Sequence, residues 1–130
     1  MGDVIYLAGK YRDVSLYQVQ QNIRLAESVA IELWKNGDYV ISPHKNTAFL
    51  DGSISLNDSE IWLSGDLKIL ERCDKIMVLP NWRDSRGTLR EIDHALANCI
   101  PVHFWDNCGS IVEYLELMDK SPNQYPNLNV

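Results

Sequence analysis

Four short apolar runs, at residues 4–8, 39–42, 75–79 and 101–105, alternate with stretches of helical spacing, and this alternation constrains the fold more than any other feature of the chain. Runs of this length, continuous in apolar character rather than alternating, suit strands buried on both faces. Such strands, each followed by a helix, call for a parallel sheet with right-handed crossovers and helices on both faces. The first run, Val4-Ile-Tyr-Leu-Ala8, is closed by Gly9, which marks a tight turn. Val19, Ile23, Ala26, Ala30 and Leu33 then keep helical spacing across 15–36, with Asn36-Gly37 as the stop. Pro43 ends the second run because it cannot donate to a sheet ladder.

Ser59 is placed to cap a helix over 59–72, with one stripe of Trp62, Asp66, Ile69 and Cys73 beside another of Leu63, Leu67 and Leu70. Asp84 or Ser85 is placed to cap the next helix. There Leu89, Ile92, Leu96 and Cys99 form the expected buried stripe, flanked by Thr88, Glu91 and Ala95. A last helix is expected over 110–120. Between Pro43 and Asp58 there is little periodicity, and a loop of that length in a small domain is a binding loop or lid, or a mobile segment.

With 130 residues and 45% hydrophobic composition the chain holds enough apolar material for one core. The expectation is a single domain over 1–120 and a mobile Pro/Asn-rich tail over 121–130. A net charge of -6 argues against a nucleic-acid polymer as partner, since that needs clustered Lys and Arg. Cys73, Cys99 and Cys108 are odd in number and lack CxxC spacing, which suits reduced thiols in a cytoplasm. No signal-like start and no apolar run long enough to span a membrane are seen, so a soluble protein without membrane contact is expected. His44, His94 and His103 lack metal-ligand spacing, and neither a metal nor another cofactor is expected.

In open parallel sheets the ligand lies beyond the carboxyl ends of the strands. Residues 9–12, the segment from Pro43, and residues 80–87 all emerge at that edge. The stretch 80–95 sets a hydroxyl, a glycine and free backbone donors at a helix start, where anions bind, with the Glu91 carboxylate about a turn further in. Cleavage of an N-glycosidic bond uses one carboxylate at the anomeric carbon and a second acid near the base. Glu91 and Asp66 are the candidates, and Asp66 on an apolar stripe should have its pKa raised by desolvation. Other readings stay open at this level. Ser85-Arg-Gly87 is also an ordinary N-cap, Arg12 also a surface charge, and Asp66 also a partner for Lys68 or Arg72. Tyr6, Tyr11 and Trp82 offer either stacking surface or packing, and His44 either a ligand contact or a turn.

Ile5-Tyr-Leu-Ala-Gly9 with Tyr11-Arg12, Asn22-Ile-Arg24, Ser42-Pro-His44 with Asn46-Thr47, Trp62 to Asp66, Cys73-Asp74, and Pro80-x-Trp82-x-x-Ser85-x-Gly87-x-x-x-Glu91 together resemble the nucleoside 2-deoxyribosyltransferase superfamily. The small, poorly characterised bacterial and phage branch, similar to deoxynucleoside 5'-monophosphate N-glycosidases, is the nearest match. The resemblance implies an α/β fold: a single-domain parallel sheet of four to five strands flanked by helices, Rossmann-like or flavodoxin-like. It implies Glu91 as nucleophile and Asp66 as the acid near the base. It further implies a 5'-phosphate site from Gly9, Arg12, Ser85 and Gly87, with Asp84 as the alternative holder of a sugar 5'-hydroxyl. The implied partner is a small nucleoside or nucleotide, and the implied assembly a homodimer or higher homo-oligomer, in which Tyr125 would serve the adjacent subunit. A non-catalytic nucleotide sensor and an NAD-type glycohydrolase are the alternatives. Two positions depart from the pattern. Lys10 stands where the hydrolases have a small residue. Arg90 precedes Glu91, where its guanidinium would either pair with the carboxylate or reach a phosphate.

Overall fold

The computed structural model describes residues 2–46, 53–54 and 59–129. Strands β1 (Val4–Ala8), β2 (Tyr39–Ile41), β3 (Lys75–Val78) and β4 (Val102–Phe104) form one parallel sheet in the order β2-β1-β3-β4. The helices are α1 (Leu16–Lys35), α2 (Pro43–Asn46), α3 (Ser59–Leu70), α4 (Arg86–Ala97) and α5 (Ile111–Met118), with short 3-10 turns at Trp105–Asn107 and Pro122–Gln124. This is the expected α/β architecture with four strands.

Pleating decides which side chains reach which core. Ile5 and Leu7 point to one face of the sheet and pack with Ala26, Val29 and Leu33 of α1. Tyr6 and Ala8 point to the other, where they meet Ile76 and Val78 of β3, Leu70 at the end of α3, Ile92 and Ala95 of α4, and Tyr114 of α5. From Ile5 to Ala8 every residue of β1 is at most 1% exposed, as a strand covered on both faces must be. Full burial of each large side chain contributes roughly 1.5–3 kcal/mol, so the central strand anchors both layers.

The helix starts follow local chemistry. The Ser15 side chain accepts from Gln18 N–H to begin α1, Ser85 accepts from Thr88 N–H to begin α4, and Ser110 accepts from Glu113 N–H to begin α5. Ser85, not Asp84, is therefore the cap of α4. The buried face of α4 also differs from the expected stripe: Thr88, Glu91, Ile92, Ala95 and Leu96 are buried, whereas Cys99 is exposed. The helix stops at Ala97, and Cys99 takes a positive φ of 58° that turns it outward.

Three further expectations are corrected. The segment from Pro43 opens with the short helix α2 rather than a loop, and most of the stretch to Asp58, with Thr47 and the capping contacts of the Ser59 side chain, lies outside the described residues. Residues 121–129 are not loose. Tyr125 is 7% exposed, joins the core of its own chain and donates its hydroxyl to Asp93 at 2.6 Å. Trp82 is fully buried against Phe104 and so close to Gly109 that a Cβ there would come within 2.7 Å of the indole, which excludes it as a stacking surface.

The chain runs outward from β1 to β2, then crosses back to β3 on the other side of β1. The direction of winding therefore reverses between β1 and β3, and their carboxyl ends part to leave a crevice. Among the described residues, no helix is long and apolar enough to cross a membrane.

Candidate active site

A cavity of about 420 Å³ opens at that crevice. Residues 9–12 after β1 line one wall, Pro43 and His44 of α2 a second, Trp62, Leu63 and Asp66 of α3 a third, and residues 84–88 with Arg90 and Glu91 of α4 the fourth. Of the residues singled out in the sequence, Gly9, Tyr11, Arg12, His44, Asp66, Asp84, Ser85, Gly87 and Glu91 all line this one space. Tyr6, also singled out, is absent from this lining: it is fully buried beneath the cavity, which leaves it no face for stacking, and its hydroxyl donates to Glu91 Oε2.

Glu91 is 6% exposed, inside the core rather than at its margin. Burial raises its pKa to about 8; the Tyr6 hydrogen bond pulls the other way and the nearby Asp66 adds to the rise. Desolvation also pushes the Tyr6 phenol well above its usual value, so the phenol keeps its proton and remains a donor to the carboxyl. Asp66, on α3, is raised to about 6 by burial alone. Its expected ion pairs do not form: Lys68 pairs with Glu71, and Asp66 has no cationic partner among the described residues. Two carboxyl groups thus face one cavity, with displaced and unequal proton affinities, an arrangement suited to dividing acid and nucleophile roles.

Arg90 does not pair with Glu91. Its Nη1 contacts both oxygens of Glu60, at 2.9 and 3.1 Å, bridging α4 to the start of α3. Lys10 bonds Asp84 at 3.0 Å and lies 3.5 Å from Asp13. Asp84 is consequently held below the usual carboxylate range, chiefly by that hydrogen bond. The Ser85 hydroxyl shares a 2.9 Å hydrogen bond with the Thr88 hydroxyl besides capping the helix. An added Cβ at Gly87 would meet nothing within 4 Å, so the helix start is open to a group approaching its backbone. Gly9 is different: a Cβ there would come within 2.9 Å of Leu79 and Asn81, so the loop can pass only as glycine.

His44 is 4% exposed, and its Nε2–H donates to the Lys10 carbonyl at 2.9 Å. Burial lowers its pKa, so the ring is neutral, and Nδ1 is left as a buried acceptor without a hydrogen-bond partner. Trp62 Nε1 is likewise a buried donor without one. Tyr11 meets the His44 ring edge-on, with centroids 5.7 Å apart. Thr88, Glu60 and Trp62 were not singled out as site residues from sequence. Thr88 lies one turn before Glu91, which was the available signal; Glu60 offered none. Among the described residues, no group of three His, Cys, Asp or Glu could hold a metal ion.

A family model described as "Domain of unknown function (DUF4406)" matches residues 3–104. Among solved structures, the fold is similar to that of a 2-deoxyribosyltransferase from the psychrotolerant bacterium Bacillus psychrosaccharolyticus, with a TM-score of 0.60 and 24% identity, covering 90% of this chain and 81% of the other. It is also similar to a conserved protein from Enterococcus faecalis V583, with a TM-score of 0.57 and 22% identity, covering 91% of this chain and 74% of the other. No curated protein matches the chain.

Proposed function

The chain belongs to the DUF4406 family, and from that placement and the geometry above we propose that it cleaves or transfers the N-glycosidic bond of a small nucleoside or nucleotide, with Glu91 as the nucleophile. The observation that carries this reading is a buried glutamate at the cavity floor, fixed by a tyrosine hydroxyl and facing a second, desolvated carboxyl. The fold shared with a 2-deoxyribosyltransferase supports it.

The reaction would run as a double displacement. A Glu91 oxygen attacks the anomeric carbon as the C–N bond breaks. The bonding pair leaves with the base, and protonated Asp66 delivers its proton there. Water, or a second base, then attacks the same carbon and releases Glu91, giving up its proton to Asp66. Positive charge developing on the sugar favours the ionised form of Glu91, and the Tyr6 hydroxyl holds the carboxylate in place.

The other end of the substrate is read as anionic. Arg12 and Arg86 line the cavity beside Lys10 and Arg90, whose charges are met by Asp84 and Glu60. With the open helix start at Gly87 this favours a nucleoside 5'-monophosphate over a free nucleoside. Asp84, neutralised by Lys10, is poorly placed to receive a sugar hydroxyl. The free cysteines suit a reducing cytoplasm. We also take the chain to form a homodimer or higher homo-oligomer, a proposal supported by exposed Val14, Leu16 and Tyr17 at the start of α1 and checked by sedimentation.

The test is base release from a panel of deoxynucleosides and their 5'-monophosphates, with and without an acceptor base. Wild type should release base, Glu91→Ala should lose at least about a thousandfold of that rate, and mass spectrometry should find a sugar ester on Glu91. Equal release by Glu91→Ala sinks the proposal. Ligand-induced stabilisation without any product would favour instead a nucleotide sensor, a reading consistent with a Glu91 carboxyl that burial keeps protonated at neutral pH.

A further inference from the structure

Residues 9–12 form the wall of the cavity that carries Lys10 and Arg12, and three elements grip its backbone. Asn81, after β3, accepts the Lys10 N–H on Oδ1 at 3.0 Å. His44, on α2, donates to the Lys10 carbonyl. Asn22, on α1, donates from Nδ2 to the Tyr11 carbonyl at 3.2 Å. The two asparagines also meet each other, with Asn81 Nδ2 donating to Asn22 Oδ1 at 3.4 Å.

Only one orientation of each amide satisfies these contacts. Asn81 must present its oxygen to Lys10 N–H, which leaves its NH2 for Asn22. Asn22 then receives on its oxygen and must turn its own NH2 onto Tyr11. The result is a one-way chain of donors that leaves the loop at the Gly9–Lys10 peptide and returns at the Tyr11–Arg12 peptide, and bonds in such a chain strengthen one another. Asn22 is 3% exposed in the middle of a helix, a costly place for an amide without a dedicated task. Gln18 adds a second donor to the Asn22 oxygen at 3.1 Å but stands outside the chain.

We propose that Asn22 and Asn81 act as one positioning unit, which presents the 9–12 loop to the anionic end of the substrate. The proposal rests on the N-glycosidic reading of the site and assigns these residues no contact with the reacting atoms.

The experiment uses Asn22→Ala, Asn81→Ala, the double variant and Gln18→Ala, with 2-deoxyribose 5-phosphate as a probe that carries the anionic end without a base. Each asparagine variant should weaken probe binding by calorimetry about tenfold and raise KM for deoxynucleoside 5'-monophosphates similarly, with kcat held within about threefold. The double variant should bind no more than about twofold more weakly than the weaker single one, because either cut breaks the same chain. Gln18→Ala should bind within about twofold of wild type. The Lys10 amide should exchange faster in both single variants. Probe affinity unchanged in either asparagine variant, or a kcat that falls with KM unaltered, overturns the proposal. Should wild type neither bind the probe nor release base, the functional reading fails by itself. Lys10 exchange then decides the relay, with acceleration in both variants upholding it and unchanged exchange overturning it.

Discussion

Replacing Glu91 with Gln removes a carboxyl that burial raises to about 8, while keeping its shape and an oxygen for the Tyr6 hydroxyl. In the unfolded chain that group ionises near its ordinary 4.5, so between 4.5 and about 8 the folded state holds a proton the unfolded state has lost. The group costs nothing below that window, stability falls as pH rises through it, and the full cost is present above it. Glu91→Gln is therefore expected to be more stable than wild type at pH 8, by about 2–4 kcal/mol, and nearly equal to it at pH 4, as urea titrations at both values would show. A wild type whose stability is flat across the window would count against a neutral, buried Glu91. The glycines make a second contrast. Gly9→Ala drives a methyl into Leu79 and Asn81 and should cost about 1–3 kcal/mol, whereas Gly87→Ala meets open space and should leave the melting temperature within a few degrees.

Helix α4 joins the Glu91 carboxyl to the fold, and its start depends on Ser85. Ser85→Ala removes both the cap on Thr88 N–H and the hydroxyl pair with the Thr88 side chain, and should cost about 1–2 kcal/mol in denaturant unfolding. At this scale the sequence was partly legible. The caps at Ser15, Ser85 and Ser110 and the runs that became β1 to β4 could be read, because capping and strand patterning are local. The buried face of α4 could not. Apolarity placed Leu89, Ile92 and Leu96 inward, as they are, but also Cys99, which is exposed, and it left Thr88 and Glu91 at the flank, while the structure buries both. A helix that presents polar groups to an active cavity defeats a rule that equates buried with apolar. The bonds between α3 and α4, Arg90 to Glu60 and His94 to Glu71, join residues at least 23 apart, and no local spacing signals them.

For the molecule as a whole, the two carboxyls predict the shape of the activity profile. In the proposed reaction attack needs Glu91 ionised and Asp66 protonated, although their pKa values, about 8 and about 6, favour the opposite assignment. The productive form is thus a minority of the singly protonated pair, and kcat/KM should trace a bell between about pH 6 and 8 whose limbs belong to the pair. Asp66→Asn should abolish the alkaline fall and leave only a rise through the Glu91 ionisation, at a lower rate. The parallel sheet and its ligand-bearing edge followed from the alternation of runs and helices, whereas the strand order β2-β1-β3-β4, and with it the crevice between β1 and β3, is set by tertiary packing that no local pattern records. The packing of Tyr125 was not legible either, since a tail rich in Pro and Asn says nothing of what one aromatic finds to bury itself against; Tyr125→Ala should cost about 2–4 kcal/mol. The bond from Tyr6 to Glu91 spans 85 residues. During synthesis the tyrosine is therefore made long before the carboxyl it will hold, and a growing chain carries the Tyr6 hydroxyl without its partner. Only when α4 has emerged and docked can the two meet, so under the proposed function an unfinished chain is inert.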